Sequence, residues 1–277
     1  MRLSGITAVL GLAALLAMAL PLSLQAEPAA LRVGLIHTEP WAYYTQDKSG
    51  ERKSQLTGVF VEINKALARE ANLQLDPVVL PYGRVRKEIQ AGHCDLTYLT
   101  RPEDKDGRIA QAGLLFSFQS IILTRPEINL RQYEDLQGLR IGVVRDARLN
   151  PRFDNDSELQ KHEVRDYETL VDMFISGRMD AIAGNSISLT YLLRKRGYPN
   201  QHWPRLVLQN VEVWAQMARR SSQHEALPQI TAAIDRLRGD GFFETLLQRY
   251  LNSADFPGQT KRLMRDSGEV SLTSAAR

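Results

Sequence analysis

The segment Leu31-Arg32-Val33-Gly34-Leu35-Ile36 returns later in the chain as Leu139-Arg140-Ile141-Gly142-Val143-Val144. Both copies are short apolar runs bounded by polar residues, which is the pattern of a buried strand. Each copy is followed by a second shared phrase, Gln90-Ala91-Gly92-His93-Cys94-Asp95 in one half and Ser176-Gly177-Arg178-Met179-Asp180 in the other. Each phrase predicts a helix that ends at the glycine and a strand that begins after the aspartate. The repeat therefore predicts two similar α/β units, and two lobes make a cleft.

Strand and helix patterns alternate through both units, as they do in parallel β-α-β folds. The predicted strands span 31–36, 75–80, 96–99, 139–144 and 180–183. The predicted helices span 59–72, 85–91, 167–176, 186–196, 227–237 and 242–250, and a helix and turn are predicted over 130–139. Two apolar segments, 120–124 and 211–218, are predicted to cross between the lobes.

The composition of the 277 residues is that of an ordinary globular protein, with 43% apolar residues and 24% charged residues. The formal net charge is only +3, and no stripe of Lys and Arg alternates with aromatic residues, so we expect no nucleic-acid partner. Cys94 is the single cysteine, so no disulfide can form within the chain. We interpret it as a half-buried residue at a strand entrance.

Signatures of catalysis and of metal binding are not found in the sequence. It contains no G-x-S-x-G, H-E-x-x-H, C-x-x-C or G-x-G-x-x-G motif. The five histidines do not have the spacing of metal ligands. We therefore expect a protein that is not an enzyme and that needs neither a metal nor a cofactor.

The first residues have the pattern of a secretory signal peptide. Met1-Arg2 is followed by an apolar run from Ile6 to Leu20, a break at Pro21 and the small-residue ending Leu24-Gln25-Ala26. The alternative is a retained membrane anchor, but the run is short for a span of about 20 residues. We expect secretion to the periplasm. The polar, aperiodic segment 253–277 is predicted to be a flexible tail.

Polar and aromatic residues follow several predicted strands in both halves. Ligands of open α/β sheets lie beyond the carboxyl ends of strands, where loop amides and helix N-termini meet. Taken singly, Trp41 and Tyr82 can cap a core, and Arg145 and Arg148 can form a solvated face. As a set they favour a ligand site. The candidates are Thr38, Glu39, Trp41, Tyr43, Tyr82, Arg84, Thr100, Arg101, Arg145, Asp146, Arg148, Gly184, Asn185 and Ser186.

From Leu31 to Leu251 the chain resembles the bacterial extracellular solute-binding proteins of family 3, the periplasmic receptors of amino-acid-type ABC importers. The matching phrases are Leu31-Arg32-Val33-Gly34, Pro40-Trp41, 58–62 (GVFVE), 90–95, 133–143 (YEDLQGLRIGV), 177–181 (GRMDA), Asp240-Gly241 and Tyr250-Leu251. The resemblance implies an α/β, two-lobed periplasmic binding protein fold of type II, in which two hinge-crossing strands join the lobes around a small polar solute.

This resemblance implies the following organisation. Residues 1–26 form the signal peptide, 27–123 plus 214–252 form a discontinuous first lobe, 124–213 form the second lobe and 253–277 form the tail. The partner is an ABC permease or the periplasmic domain of a membrane sensor, and we expect a monomer. The alternative is an enzyme on the same fold, such as a dehydratase of a cyclic amino-acid precursor, with Glu39, His37 or Asp146 as acid or base.

The resemblance also implies roles for single residues. Tyr82 matches the aromatic residue that packs on the ligand, and Thr100 lies where strand-end groups hold a ligand carboxylate. The arginine that clamps this carboxylate is Arg101 or Arg108, because the local spacing departs from the family pattern. Asn185 stands where the family has an aspartate for the ligand's ammonium group, and an amide lacks the required charge. With Arg145 and Arg148 nearby, an anionic ligand is favoured.

We predict that the secreted protein begins at Glu27, because Ala26 is the small residue that ends the signal-peptide pattern. Mass spectrometry of the exported protein measures this directly. A membrane-bound product that still begins at Met1 would contradict the prediction.

Overall fold

The computed structural model describes residues 30–45, 55–100, 107–198 and 202–251. The predicted signal peptide 1–26, Arg101 and the tail 253–277 lie outside the described residues. Within the described ranges, no helix combines the length and the apolar character needed to cross a bilayer.

Strands and helices alternate along most of the chain. The strands are β1 (Leu31–Ile36), β2 (Tyr43–Thr45), β3 (Gln55–Thr57), β4 (Leu75–Leu80), β5 (Leu96–Thr100), β6 (Ile109–Thr124), β7 (Arg140–Val144), β8 (Gln160–Val164), β9 (Ala181–Asn185) and β10 (Arg205–Ala218). The helices are α1 (Val59–Glu70), α2 (Tyr82–Ala91), α3 (Pro151–Asn155), α4 (Tyr167–Ile175), α5 (Ser186–Lys195), α6 (Leu227–Gly239) and α7 (Phe242–Leu251). Short 3₁₀ turns lie at Tyr133–Leu136 and His224–Ala226.

Eight strands form one mixed sheet in the order β4-β1-β5-β10-β6-β9-β7-β8. In the first half, β1 lies between β4 and β5 and is parallel to both. In the second half, β7 lies between β8 and β9 and is again parallel to both. The sequence repeat therefore corresponds to a structural repeat, with the two repeated strands at equivalent central positions.

Two long antiparallel strands join the halves. The pairing of β6 with β10 begins at the pair Leu123 and Arg205 and ends at the pair Ile109 and Ala218. One end of β10 also pairs with β5, whereas the opposite end of β6 pairs with β9. The crossings predicted at 120–124 and 211–218 lie inside these strands, which are longer than predicted because their inner parts also pair with each other. The lobe boundaries themselves stay a prediction.

Between 130 and 139 the sequence predicted a helix and turn, and the helical part is much shorter than predicted. The structure has a single 3₁₀ turn there, since the Asp135 carboxylate accepts hydrogen bonds from the backbone N–H groups of Arg131 and Gln132 and Gly138 turns left-handed at φ 76°. The strands β2, β3 and β8 and the helix α3 were missed. β8 is a largely polar strand at the sheet edge, so its sequence carries no apolar run.

Apolar side chains form a separate core in each half. In the first half, Val33 and Leu35 of β1 pack with residues of α1, α6 and α7. In the second half, one cluster joins the sheet to α4 and α5, and another lies against α3 on the opposite face. Ile187 of α5 belongs to the core of the first half, so this helix packs against both halves.

The second repeated phrase ties each helix to its sheet. Gly92 and Gly177 follow α2 and α4 with φ of 79° and 76°, a conformation that favours glycine. The next aspartate in each half then accepts a hydrogen bond from the first residues of the central strand. Arg32 N donates to Asp95 Oδ2 at 2.7 Å, and Arg140 N donates to Asp180 Oδ2 at 2.9 Å.

We predict that Asp180→Asn destabilises the protein at pH 7 by about 1 kcal/mol, at the low end for a charged hydrogen bond because the pair is partly exposed. Hydrogen bonds from Arg140 lower the pKa of Asp180 to about 2. Since its folded pKa is lowered, this carboxylate stabilises the fold above its ordinary pKa near 4 and ceases to do so as the pH falls toward 2. Urea unfolding measures the difference.

The difference in the free energy of unfolding between wild type and Asp180→Asn should therefore be smaller at pH 2.5 than at pH 7. Asp76→Asn on the exposed edge of β4 is the control and should have little effect at either pH. If Asp180→Asn lowered the free energy of unfolding equally at pH 7 and pH 2.5, the role assigned to the Asp180 charge would be contradicted.

Candidate functional site

A cavity of about 320 Å³ lies between the two halves, at the carboxyl ends of the parallel strands. Its size is in the range of small-molecule sites. The predicted residues that line it are Trp41, Tyr82, Thr100, Asp146, Arg148 and Asn185. Further lining residues are Ile36, Phe60, Gly83, Arg86, Lys87, Gln90, Tyr98, Leu99, Phe118, Ser120, Leu149, Tyr167 and Val213.

Other predicted site residues are not brought to this cavity. Arg84 is exposed on α2, and Arg108 is exposed just before β6. Arg145 is two-thirds exposed and its Nε lies 3.4 Å from a carboxylate oxygen of Glu163. Thr38 is buried and donates its hydroxyl hydrogen bond to the carbonyl of His37 at 2.6 Å.

Two predicted site residues belong to a seam between the halves, formed by the segment after β1 and the helix α5. Lys195 donates to both carboxylate oxygens of Glu39, at 2.6 and 2.7 Å. The hydroxyl groups of Tyr43 and Tyr191 lie 3.1 Å apart. These contacts hold the two halves together beside the cavity, so Glu39 and Tyr43 have partners within the protein.

The helix α2 supplies one wall of the cavity. It begins at Tyr82, directly after Pro81, and not at residue 85 as predicted. Residues 82, 83, 86, 87 and 90 then lie near one face, at the i, i+3 and i+4 spacing of a helix. This earlier start puts Arg86 in the cavity and Arg84 outside it. The spacing was visible in the sequence, but the predicted start of the helix concealed it.

Arg86 is the partly buried cation in this wall, whereas Lys87 is exposed. Its Nη2 donates to the carbonyl of Thr100 at 3.5 Å. Its Nη1 is buried and finds no hydrogen-bond partner in the part of the chain that the structure describes. Burial lowers the pKa of Arg86, but a guanidinium remains charged in proteins. A buried donor without a partner is costly, and an anionic ligand would satisfy it.

Aromatic side chains form the apolar lining of the cavity. Trp41 stacks on Phe60 with ring centroids 4.9 Å apart, and Phe118 lies 6.4 Å from Trp41. Tyr82 and Tyr167 are the first residues of the equivalent helices α2 and α4. Burial raises the pKa of both phenols, so they are neutral near pH 7. The site thus combines a flat apolar lining with localised charge.

Asn185 lines the cavity, but its amide is engaged inside the protein. Its Oδ1 accepts a hydrogen bond from the backbone N–H of Ser188 at 2.6 Å and so caps α5. Its Nδ2 donates to the Ser188 hydroxyl at 3.1 Å, and the Trp41 indole N–H donates to the same oxygen at 2.8 Å. Asn185 therefore links the end of β9, the start of α5 and the opposite half.

The alternative of an enzyme on this fold requires Glu39, His37 or Asp146 as acid or base, and these three residues do not come together at the cavity. His37 and Glu39 are not among its lining residues, so Asp146 is the one of the three that reaches it. The described residues also contain no cluster of three His, Cys, Asp or Glu side chains suited to a metal ion.

Solved structures share this architecture over most of the chain. The substrate-binding protein AbpA of Streptococcus pneumoniae, bound to L-arginine, matches with a TM-score of 0.66 at 16% identity and covers 82% of this chain and 96% of its own. This chain has the type II periplasmic binding protein fold. The predicted fold class, α/β with two lobes, is confirmed, and we call the half that contains β1 lobe 1 and the half that contains β7 lobe 2.

Relatives of other kinds share the binding-protein fold. A histidine kinase sensor domain matches with a TM-score of 0.64 at 15% identity, covering 82% of this chain and 97% of its own. An ancestral amino-acid-binding protein, described as a precursor of cyclohexadienyl dehydratase, matches with a TM-score of 0.63 at 18% identity, covering 80% and 95%. These likenesses establish the fold alone.

At the sequence level, no family model matches the chain. A probable amino-acid-binding protein of Bacillus subtilis, YxeM, is 24% identical over 224 residues, which cover 77% of this chain and 80% of YxeM. The resemblance to solute-binding proteins of the amino-acid type is confirmed by this relative, and the structural neighbours share the fold. YxeM and AbpA are named as binding proteins and not as enzymes.

We predict that Asn185→Ala lowers the free energy of unfolding by about 1 kcal/mol, because it removes the cap of α5 and leaves the Ser188 N–H without its acceptor. Asn185→Asp is the matched variant: its carboxylate also accepts from Ser188 N, so it should lose less. Thermal and urea unfolding without ligand measure both. Equal stability of Asn185→Ala and wild type would show that the cap does not contribute to the free energy of unfolding.

Proposed function

We propose that this protein is a periplasmic solute-binding protein that closes its two lobes on a small solute carrying an anionic group. The observation that carries the proposal is Arg86, a cavity-lining guanidinium with one buried N–H group that has no partner among the described residues. The aromatic lining supplies apolar contact to the body of the solute. Arg86 takes the part for which the sequence offered Arg101, Arg108 and Arg145.

Both lobes contribute to the cavity, which supports a mechanism of closure. Tyr82, Arg86 and Thr100 come from lobe 1, whereas Arg148 and Tyr167 come from lobe 2. A solute that contacts both sets is bound fully only when the lobes approach, so binding shifts the population toward the closed form. The crossing strands β6 and β10 are the elements at which such a rotation would occur.

We further propose that the protein acts as a monomer and delivers its solute to an ABC permease or to the periplasmic domain of a membrane sensor. The binding-protein relatives support the importer, and the likeness to a histidine kinase sensor domain supports the sensor as the second possibility. Neither His37 nor Glu39 lines the cavity, and Lys195 engages the Glu39 carboxylate, which favours binding over dehydration chemistry, since a catalytic acid must reach the ligand.

The decisive comparison is between Arg86→Ala and Arg84→Ala, two changes on the same helix. Ligand at a hundredfold excess over Kd adds about 2.7 kcal/mol to the stability of the folded state, which appears as a rise in Tm. We predict that a thermal-shift screen of small carboxylates and amino acids raises the Tm of wild type and Arg84→Ala alike. Arg86→Ala should lose the response.

Unliganded melts of the three proteins show whether each variant is folded. The proposal fails if Arg86→Ala keeps the full ligand response, or if Arg84→Ala loses it while remaining folded.

A further inference from the structure

We infer that Lys195 holds the two lobes together with or without a solute, because it neutralises carboxylates that approach each other across the seam, Glu39 of lobe 1 and Glu168 of lobe 2. None of these three described residues lines the cavity, so their effect on closure does not depend on contact with a solute. The inference goes beyond the proposed function, because it concerns the equilibrium between open and closed forms of the protein itself.

The Lys195 ammonium group is the cation of the seam. Lys195 is the last residue of α5, and its Nζ lies 2.6 and 2.7 Å from the two carboxylate oxygens of Glu39. The Glu39 side chain is only 15% exposed, whereas that of Lys195 is 48% exposed. A largely buried carboxylate has lost most of its hydration, so removal of its cation costs more than it does at an exposed ion pair.

A second carboxylate approaches Glu39 from lobe 2. The backbone N–H of Glu39 donates to Glu168 Oε1 at 3.4 Å. Glu168 lies in the first turn of α4, directly after the cavity-lining Tyr167. Burial raises the pKa of Glu168, and the nearby carboxylates of Asp166 and Glu39 raise it further. The closed arrangement therefore places two acidic side chains close together, which is unfavourable unless a cation compensates them.

The neighbouring arginine does not supply this cation to Glu39. Nε and Nη2 of Arg196 donate to the two carboxylate oxygens of Asp172 at 2.7 and 3.1 Å, so Arg196 is engaged inside lobe 2. Within the described ranges of the chain, Glu168 forms no ion pair of its own. Loss of Lys195 would thus leave Glu39 and Glu168 as neighbouring charges without compensation.

The lobes also touch at the turn after β7. Asp146 Oδ2 lies 2.5 Å from the position that a Cβ of Gly83 would occupy. Contact at this turn and at the seam is the arrangement of a closed form. The seam joins the lobes through opposite charges at hydrogen-bond distance, so we assign to it the larger contribution to the stability of this form.

The test measures the distance between the lobes in the absence of any solute. Spin labels are attached to Asp76→Cys and His162→Cys, two exposed positions on β4 and β8, which are the outer strands of the sheet. Cys94 is buried and does not compete for the label. Double electron–electron resonance gives the fractions of open and closed molecules. In Lys195→Met the ratio of open to closed molecules should rise about fivefold or more.

A second change separates the effect of charge from the loss of packing. Glu168→Gln keeps an oxygen that accepts from the Glu39 N–H and removes the negative charge. Added to Lys195→Met, it should reverse at least about half of the rise in the open-to-closed ratio. Lys65→Met is the matched control, since this lysine pairs with Glu62 inside lobe 1 at 3.2 Å, and its loss should leave the ratio unchanged.

Two results would overturn the inference: an open-to-closed ratio in Lys195→Met equal to that of the labelled wild type, or a rise that Glu168→Gln leaves unchanged. Thermal melts of each labelled variant show that it is folded. Both results are obtained without a solute, so they are independent of whether any compound in the thermal-shift screen binds. A failure of the proposed anion site at Arg86 is therefore distinguishable from a failure of the seam.

Discussion

The antiparallel pairing of β6 with β10 is the constraint on which the rest of the structure depends. Each strand belongs to both lobes, since β10 pairs with β5 at one end and β6 pairs with β9 at the other. The parallel strands of each lobe therefore have a fixed neighbour that enters from the opposite lobe. Their carboxyl ends face one cleft because of this arrangement, and the cavity lies there.

Beside the cleft, α5 holds the lobes in their relative position. Ser188 accepts hydrogen bonds from Trp41 of lobe 1 and from Asn185 of lobe 2, and Lys195 pairs with Glu39. These polar contacts between the lobes lie near the first turn and the end of α5, and the backbone N–H of Glu39 also donates to Glu168 of α4. The turn after β7 lies against α2 on another side of the cavity. Trp41 and Asn185 belong both to the contacts that connect the lobes and to the lining of the cavity.

The repeat made the architecture predictable from the sequence. The strands around Leu31 and Leu139, the glycine and aspartate that follow α2 and α4, and the two crossings were all visible as local patterns, because each depends on nearby residues. The rule that ligands lie beyond strand ends also gave the right region. The rule did not show that Arg86, and not Arg84, faces the cavity. Which of the two does so depends on the residue at which α2 begins, and this is Tyr82, directly after Pro81.

Other features of the site depend on contacts between distant segments, which no local pattern carries. Arg145 and Arg148 stand three residues apart, yet one lies beside Glu163 and the other lines the cavity. Asn185 was predicted as a ligand residue from its position after β9, whereas its engagement with Ser188 and Trp41 follows from the packing of α5. The approach of Asp146 to Gly83 joins two lobes and appears only in three dimensions.

The position of β10 in the sheet has a consequence for the order in which the chain can fold. β6 to β9, with α4 and α5, are contiguous in the chain, so the sheet and principal core of lobe 2 are available as soon as residue 195 has emerged. Lobe 1 must wait for β10, α6 and α7, which supply its inner strand and two of its packing helices and come last in the chain. Until they arrive, the apolar surfaces of β1 and α1 remain uncovered. A chaperone that protects this chain during its synthesis would therefore need to act for longest on the residues of β1 and α1, although they are the first of the fold to be made.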